Sequence, residues 1–338
     1  MPSNTGVSAV DEIPTPAGRG PNMTGRVPAG TGRLGDRIFG GTATGAGLLV
    51  IAIVTLIAGF LISQALPALA KDKVNFLTST QWNVDGTPLQ FGIANLLWVT
   101  VLSSVIAMLI AVPFGVGVAL FITQYAPGWL SRTAATLVDL LAAVPSIVYG
   151  LWGLQVFGPH MSGIQNFLVT YLGWFPLFTR SGIGAASTIL TVGVVLSIMV
   201  LPIITALSRE VFAQTPVANK DAALALGATR WEMIRTAVLP FGKPGVISAS
   251  MLGLGRALGE TVAVMIILSA LADGSAWSWS MFNGGETFAS KIANNAAEFD
   301  SPQKAGAFLA AGLVLFLLTF VVNSIARIVI NRSKAFSE

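Results

Sequence analysis

Six long stretches with little or no charge recur along this 338-residue chain, at 45–66, 93–123, 133–157, 184–208, 244–272 and 305–326. Each reaches the roughly 20 residues an α-helix needs to cross the hydrocarbon core of a bilayer. Inside lipid the backbone has no water to bond, so a segment of this kind can cross only as a helix or in a closed barrel. The composition agrees: 10% of the residues are charged, against about 25% in soluble domains. The expected fold class is all-α, a polytopic membrane protein with six transmembrane helices in a membrane domain over 45–331. Dense Gly and Ala in several runs permit close helix contact in lipid. Pro113, Pro145 and Pro202 lie in or near the runs and read as ordinary kinks.

Much chemistry is excluded by absence. There is no cysteine and only one histidine, His160. Disulfide frameworks, iron–sulfur clusters, Cys-type zinc sites, paired-His metal motifs and His-based triads are therefore ruled out. His160 follows Phe157-Gly158-Pro159 in a polar break and reads as a loop histidine. No basic stripe interleaved with aromatics suggests nucleic acid. No G-x-x-x-x-G-K-[ST] sequence occurs, and the glycine-rich 40–47 segment lacks the phosphate-binding lysine. The chain does not bind ATP by itself, and neither cofactor nor metal is implied.

Residues 1–44 are rich in Gly, Pro, Thr, Ser and Arg. They read as a disordered cytoplasmic segment, too long and too dispersed in charge for a signal peptide. Basic residues set the orientation. With six spans and the N-terminus inside, one side holds Arg19, Arg26, Arg33, Arg37, Arg132, Arg209, Lys220, Arg230, Arg235, Lys243, Arg327, Arg332 and Lys334. The other holds only Lys71, Lys73, Arg180, Lys291 and Lys304. A seventh span over 161–179 would leave the two sides nearly equal, so the positive-inside rule favours six. Both termini, including a 332–338 tail, are then cytoplasmic. Segment 158–183 becomes an outer loop with an interfacial or re-entrant piece, suited by Trp174, Phe175 and Phe178. Arg180 reads as an ordinary boundary arginine of that loop, placed where it could also attract anions.

The long inner loop 209–243 carries a pattern of its own. Asp221-Ala-Ala-Leu-Ala-Leu-Gly227 combines helix formers with a glycine C-cap. A second amphipathic stretch starts at Thr229, with Trp231, Ile234 and Val238 at helical spacing, and Leu239-Pro240 is expected to close it. Helix, glycine, helix makes a small knob that another protein could grip. The loop resembles the E-A-A-x3-G-x9-I-x-L-P motif of ABC importer permeases through Asp221, Ala222, Ala223, Gly227, Leu239 and Pro240. Asp stands for the motif's Glu and Ala237 for its Ile.

The segments 139–153 and 255–264 are similar to those of PstC-family phosphate permeases, a likeness that runs from the first span to the C-terminus. The resemblance implies a type I importer fold in a bacterial plasma membrane. It implies a PstA-like second permease, a PstB-like ATPase dimer docked on 221–240, an external PstS-like binding protein and phosphate as cargo. Permeases for another oxyanion, such as sulfate or molybdate, are the near alternative. An ion-coupled secondary transporter is a more distant one, since no internal inverted repeat is visible.

Three ionisable residues fall inside spans. Arg256 and Glu260 are four residues apart, one helix face if the helix is continuous. A charge at mid-bilayer costs about 2.5–3.5 kcal/mol on insertion scales, and a buried ion pair is a weak stabiliser. Stability alone is a poor reason to place them there. The expectation is that Arg256 and Glu260 line a substrate path, the guanidinium fork matching an oxyanion. Asp139 is a possible accessory intramembrane charge, with Arg132 or a partner's basic residue as its counter-ion, or a helix end to cap.

Overall fold

The computed structural model describes residues 34–86, 88–271 and 277–334. Helices dominate them. Helix α1 spans Leu34–Leu69, with only a two-residue antiparallel hairpin, β1 (Trp82–Asn83) and β2 (Gln90–Phe91), before α2 at Ala94–Leu120. Then come α3 (Gly128–Ala142), α4 (Ser146–Trp152), α5 (Met161–Leu172) and α6 (Ile189–Ala213). The second half holds α7 (Val217–Ala225), α8 (Arg230–Met233), α9 (Leu239–Leu258), α10 (Val262–Ile267), α11 (Phe288–Asn294) and α12 (Pro302–Lys334). Five helical stretches are long and apolar enough to cross a membrane, and a sixth arises if the bent pair Gly128–Ala142 and Ser146–Leu172 is one span.

Polar side chains enter these helices by bonding back onto them. Thr100 donates to the Leu96 carbonyl at 2.7 Å, Ser103 to Val99 at 2.7 Å and Ser250 to Val246 at 2.8 Å. Each hydroxyl is thus satisfied before it meets lipid. The same device extends α1 beyond expectation. Thr42 bonds the Phe39 carbonyl and Thr44 that of Gly40, so residues 34–44, expected to be disordered, are helical. Residues 1–33 lie outside the described part. The chain divides into two units, Met1–Leu56 and Ile57–Glu338; the core and sites below belong to the second.

Helix α6 is the hub. Val192, Val195, Leu196, Val200 and Ile204 pack against Ala107 and Ala111 of α2, Ala257 of α9, and Val264 and Ile267 of α10. Glycines set the close approaches and reveal the directions. A β-carbon on Gly193 would fall 2.6 Å from Ile106, and one on Gly115 would fall 3.1 Å from Ile204, so α2 and α6 run parallel. Gly245 abuts Val211 and Gly253 abuts Val200, so α9 runs antiparallel to α6.

Four features depart from the sequence reading, each for a local reason. The third span is broken: α3 and α4 meet at 90° where Pro145 cannot supply a helical N–H. Pro113 and Pro202, by contrast, sit within helices. The fifth span does not run from 244 to 272. Its helix begins at Arg230, continues through a π-turn at Ile234–Val238 and ends at Leu258. Leu239-Pro240 therefore does not close a helix, because the wide π-turn just before it accommodates a proline that lacks an N–H. Beyond Gly259 the chain restarts as the short α10. Finally, 158–172 is not loop. Helix α4 runs on through a π-turn at Gly153–Phe157 and a 3₁₀ turn at Gly158–His160 into α5. This makes one helical stretch from Ser146 to Leu172 that includes His160, the wide π-turn accommodating Pro159, and a 3₁₀ turn at Pro176–Phe178 follows.

Candidate translocation path and docking surface

The two breaks lie together. Gly150 of α4 abuts Ala263 of α10, and Gly153 abuts Val195 and Ile267, so the segments that follow the two breaks pack on each other against α6. Arg256 comes from the last turn of α9. With Gly253 against Val200, Arg256 stands beside the middle of α6. It is exposed on the free face of its helix, next to Leu252 (62% exposed). Gly255 and Gly259 flank it, and a β-carbon on Gly255 would meet nothing within 4 Å. The guanidinium is therefore left bare.

Arg256 and Glu260 do not share a helix face, because the helix ends between them. Glu260 is buried, and its Oε1 accepts from the Ala263 N–H at 3.3 Å at the start of α10. Among the described residues Arg256 forms no ion pair. The expected pairing reach is thus not realised: the carboxylate is spent on the buried start of α10, and the break it caps separates the two. Sequence reasoning passed over Tyr149. Its buried hydroxyl donates to the Leu141 carbonyl at 2.9 Å, bridging the α3–α4 bend. Pro145 was the available signal, since a break in a span needs a donor for the carbonyls it frees.

Asp139 meets neither Arg132 nor the mid-span region. Arg209 Nη2, near the end of α6, lies 3.3 Å from its Oδ2, and the Asp139 side chain is 53% exposed. This is a partly exposed ion pair near the end of α6, worth about 0–1 kcal/mol. His160 is exposed, its Nδ1 within 2.7 Å of the Val156 carbonyl oxygen, and no group of three potential metal ligands occurs among the described residues.

The 221–240 segment folds into two units with different exposure. Helix α7 contains no buried residue. It ends as the sequence suggested: Gly227 has φ 84°, its N–H donates to Leu224, and that of Ala228 to Ala223. This double closure needs a left-handed residue at Gly227, which glycine adopts without strain. Thr229 then starts the next helix with a reciprocal cap. Glu232 N–H donates to Thr229 Oγ1, and Glu232 Oε2 accepts from Thr229 N at 2.8 Å. Asp221 and Ala222 are exposed, while Ala223 packs inward on a cluster of Phe212, Met233, Ile234 and Val238. Leu239 is half-buried and Pro240 exposed. Val217, Leu226 and Trp231 are 67%, 89% and 56% exposed, an apolar knob on a stiff base.

Residues 111–335 match the family described as "Binding-protein-dependent transport system inner membrane component". The matched part contains both breaks, Arg256 and the α7 knob. The chain is 52% identical over 298 residues to "Phosphate transport system permease protein PstC 2" of Mycobacterium tuberculosis, covering 87% of this chain and 91% of that one. It is 50% identical over 317 residues to the PstC protein of Mycobacterium leprae, covering 93% and 96%. With that of Pasteurella multocida it shares 42% over 258 residues, 74% and 79% of the two chains. The inward-facing MetNI methionine ABC transporter overlays with a TM-score of 0.49 at 15% identity, over 71% of this chain and 95% of that one.

Proposed function

Because this chain belongs to the binding-protein-dependent inner-membrane transport family, we propose that it is the membrane-spanning permease subunit of an ATP-driven importer of inorganic phosphate. It is a multi-pass membrane protein of the all-α importer class. In this reading it supplies half of the translocation path, and a PstA-like permease supplies the rest. A PstB-like ATPase dimer drives the cycle from the cytoplasm, where both termini lie, and a PstS-like protein delivers the anion from outside. The curated relatives named for phosphate transport support phosphate over sulfate or molybdate.

The observation that carries the reading is Arg256. A guanidinium beside the middle of the central helix, exposed and without an acid, cannot face lipid cheaply. Water and a partner chain must cover it, and a passing oxyanion finds a planar donor fork there. Glu260 acts on the path by keeping α10 a separate short helix, not by pairing with Arg256. The motor is reached through one helical rod. Arg230 follows directly on the α7 knob, and Arg256 lies 26 residues further along the same helix, about 39 Å away at 1.5 Å per residue. ATP-driven closure of the docked subunits tilts the knob, and the rod carries that displacement to the breaks, where α4 and α10 shift and access alternates.

The test is uptake of labelled phosphate by the reconstituted complex carrying Arg256→Gln. Uptake is expected to vanish while the four components still co-purify. Uptake at the wild-type rate would overturn the role of Arg256, and competition by sulfate as strong as by phosphate would overturn the choice of anion.

A further inference from the structure

A second guanidinium, outside the path described, has the surroundings of an anion site. Arg180 lines a cavity of about 210 Å³ together with Ser162, Gln165, Asn166, Ser181 and Phe282, and no carboxylate lines it. Two of the other four cations that the charge count puts on this side are neutralised, while Lys71 and Lys73 form no ion pair among the described residues. Lys291 Nζ lies 2.7 Å from Glu286, and Lys304 lies 2.6 Å from Asp85 with Glu298 and Asp300 at 3.9 and 4.0 Å. Arg180 instead donates to a neutral amide, Asn166 Oδ1, at 3.2 Å. The remaining guanidinium N–H groups and the Asn166 Nδ2 have no hydrogen-bond acceptor among the described residues.

The backbone under Arg180 is pinned on both sides. Met281 N–H donates to the Leu177 carbonyl, Ser280 Oγ to that of Thr179, and Ser181 Oγ to that of Phe282. Segments 101 residues apart are thus stapled at the two positions flanking Arg180. The opposite wall is α5, held in turn by Gln165 Nε2 on Thr188 Oγ1 at 3.0 Å. A donor fork on a fixed backbone, facing an amide and lacking any acid, is preorganised for an oxyanion.

We propose that the Arg180–Asn166 cavity is an outer capture site for the transported oxyanion, which holds it weakly before it reaches Arg256. This rests on the reading of the chain as an oxyanion permease. Two variants of the whole complex test it, Arg180→Gln and Asn166→Asp, the second placing a carboxylate where it competes with the anion for the intact arginine. Each should raise the KM for phosphate uptake on the order of tenfold, the loss of one charge-assisted hydrogen bond, with kcat kept. Phosphorus NMR of inorganic phosphate with the purified complex, free of binding protein, should show line broadening that either variant removes.

Unchanged KM in Asn166→Asp would overturn the proposal even if Arg180→Gln fails to assemble. So would a fall in kcat at constant KM. A raised KM without any effect of phosphate on the purified complex would make Arg180 a contact for the binding protein, and would likewise end the proposal. A wild-type complex that takes up no phosphate would instead overturn the functional reading itself.

Discussion

The α7 knob and the pair of mid-span breaks are built to opposite specifications. Around Gly227 every free end is tied: two N–H bonds close α7, and a reciprocal cap opens α8. At the breaks backbone bonds also close the ends, Val144 N–H to Leu141 and Gly259 N–H to Gly255 among them, and single side chains add to these. Tyr149 holds the α3–α4 bend by one hydroxyl bond, and Glu260 caps α10 by one long bond of 3.3 Å. Under the proposed docking, the knob closed on itself is expected to act as the stiffer region and the breaks, each bridged by one side-chain bond, as the more compliant one.

The largest effect should come from the compliant region. Arg256→Gln removes the exposed guanidinium beside the breaks, so uptake should drop below detection while ATP hydrolysis by the assembled complex persists. Next comes the stiff region. Gly227→Val forces a β-branched residue into a left-handed conformation that costs about 1–2 kcal/mol, and phosphate moved per ATP hydrolysed should fall several-fold. Equal coupling in proteoliposomes would break the contrast, by showing that the knob need not be rigid.

Smaller changes sharpen it. Tyr149→Phe deletes a bond worth about 1 kcal/mol; the uptake rate should change by roughly fivefold with assembly intact, and hydrogen exchange should quicken at 143–149. Thr229→Ala removes a helix cap worth about 1 kcal/mol. Exchange should quicken about fivefold around 229–233, with uptake nearly kept. A reversed ranking of the last two would place the compliance in the knob.

Much of this was legible beforehand, and the misses have a common cause. Hydropathy located the crossings because lipid imposes length and apolarity on any span. The Gly227 cap was readable because a left-handed closure selects glycine. The α9–α10 break was hidden, for Gly255 and Gly259 resemble the many glycines that unbroken spans tolerate. What breaks the helix there is a choice by Glu260 to cap the next one, which spacing alone does not reveal. The start of the fifth helix was misplaced because Arg230, Arg235, Lys243 and Pro240 look like a loop, whereas helix needs only that charges stay near the edge. Arg209 as the mate of Asp139 depends on how α3 lies against α6, a tertiary fact. Neither Tyr149 nor the cavity at Arg180 carried a motif.

The rod from Arg230 to Leu258 is also a screw. Each residue turns an α-helix by about 100°. Deleting a single residue between the knob and Arg256 would therefore swing the guanidinium from its open face toward the packed one, shortening the helix by only about 1.5 Å. This segment should thus accept many substitutions but no change in length.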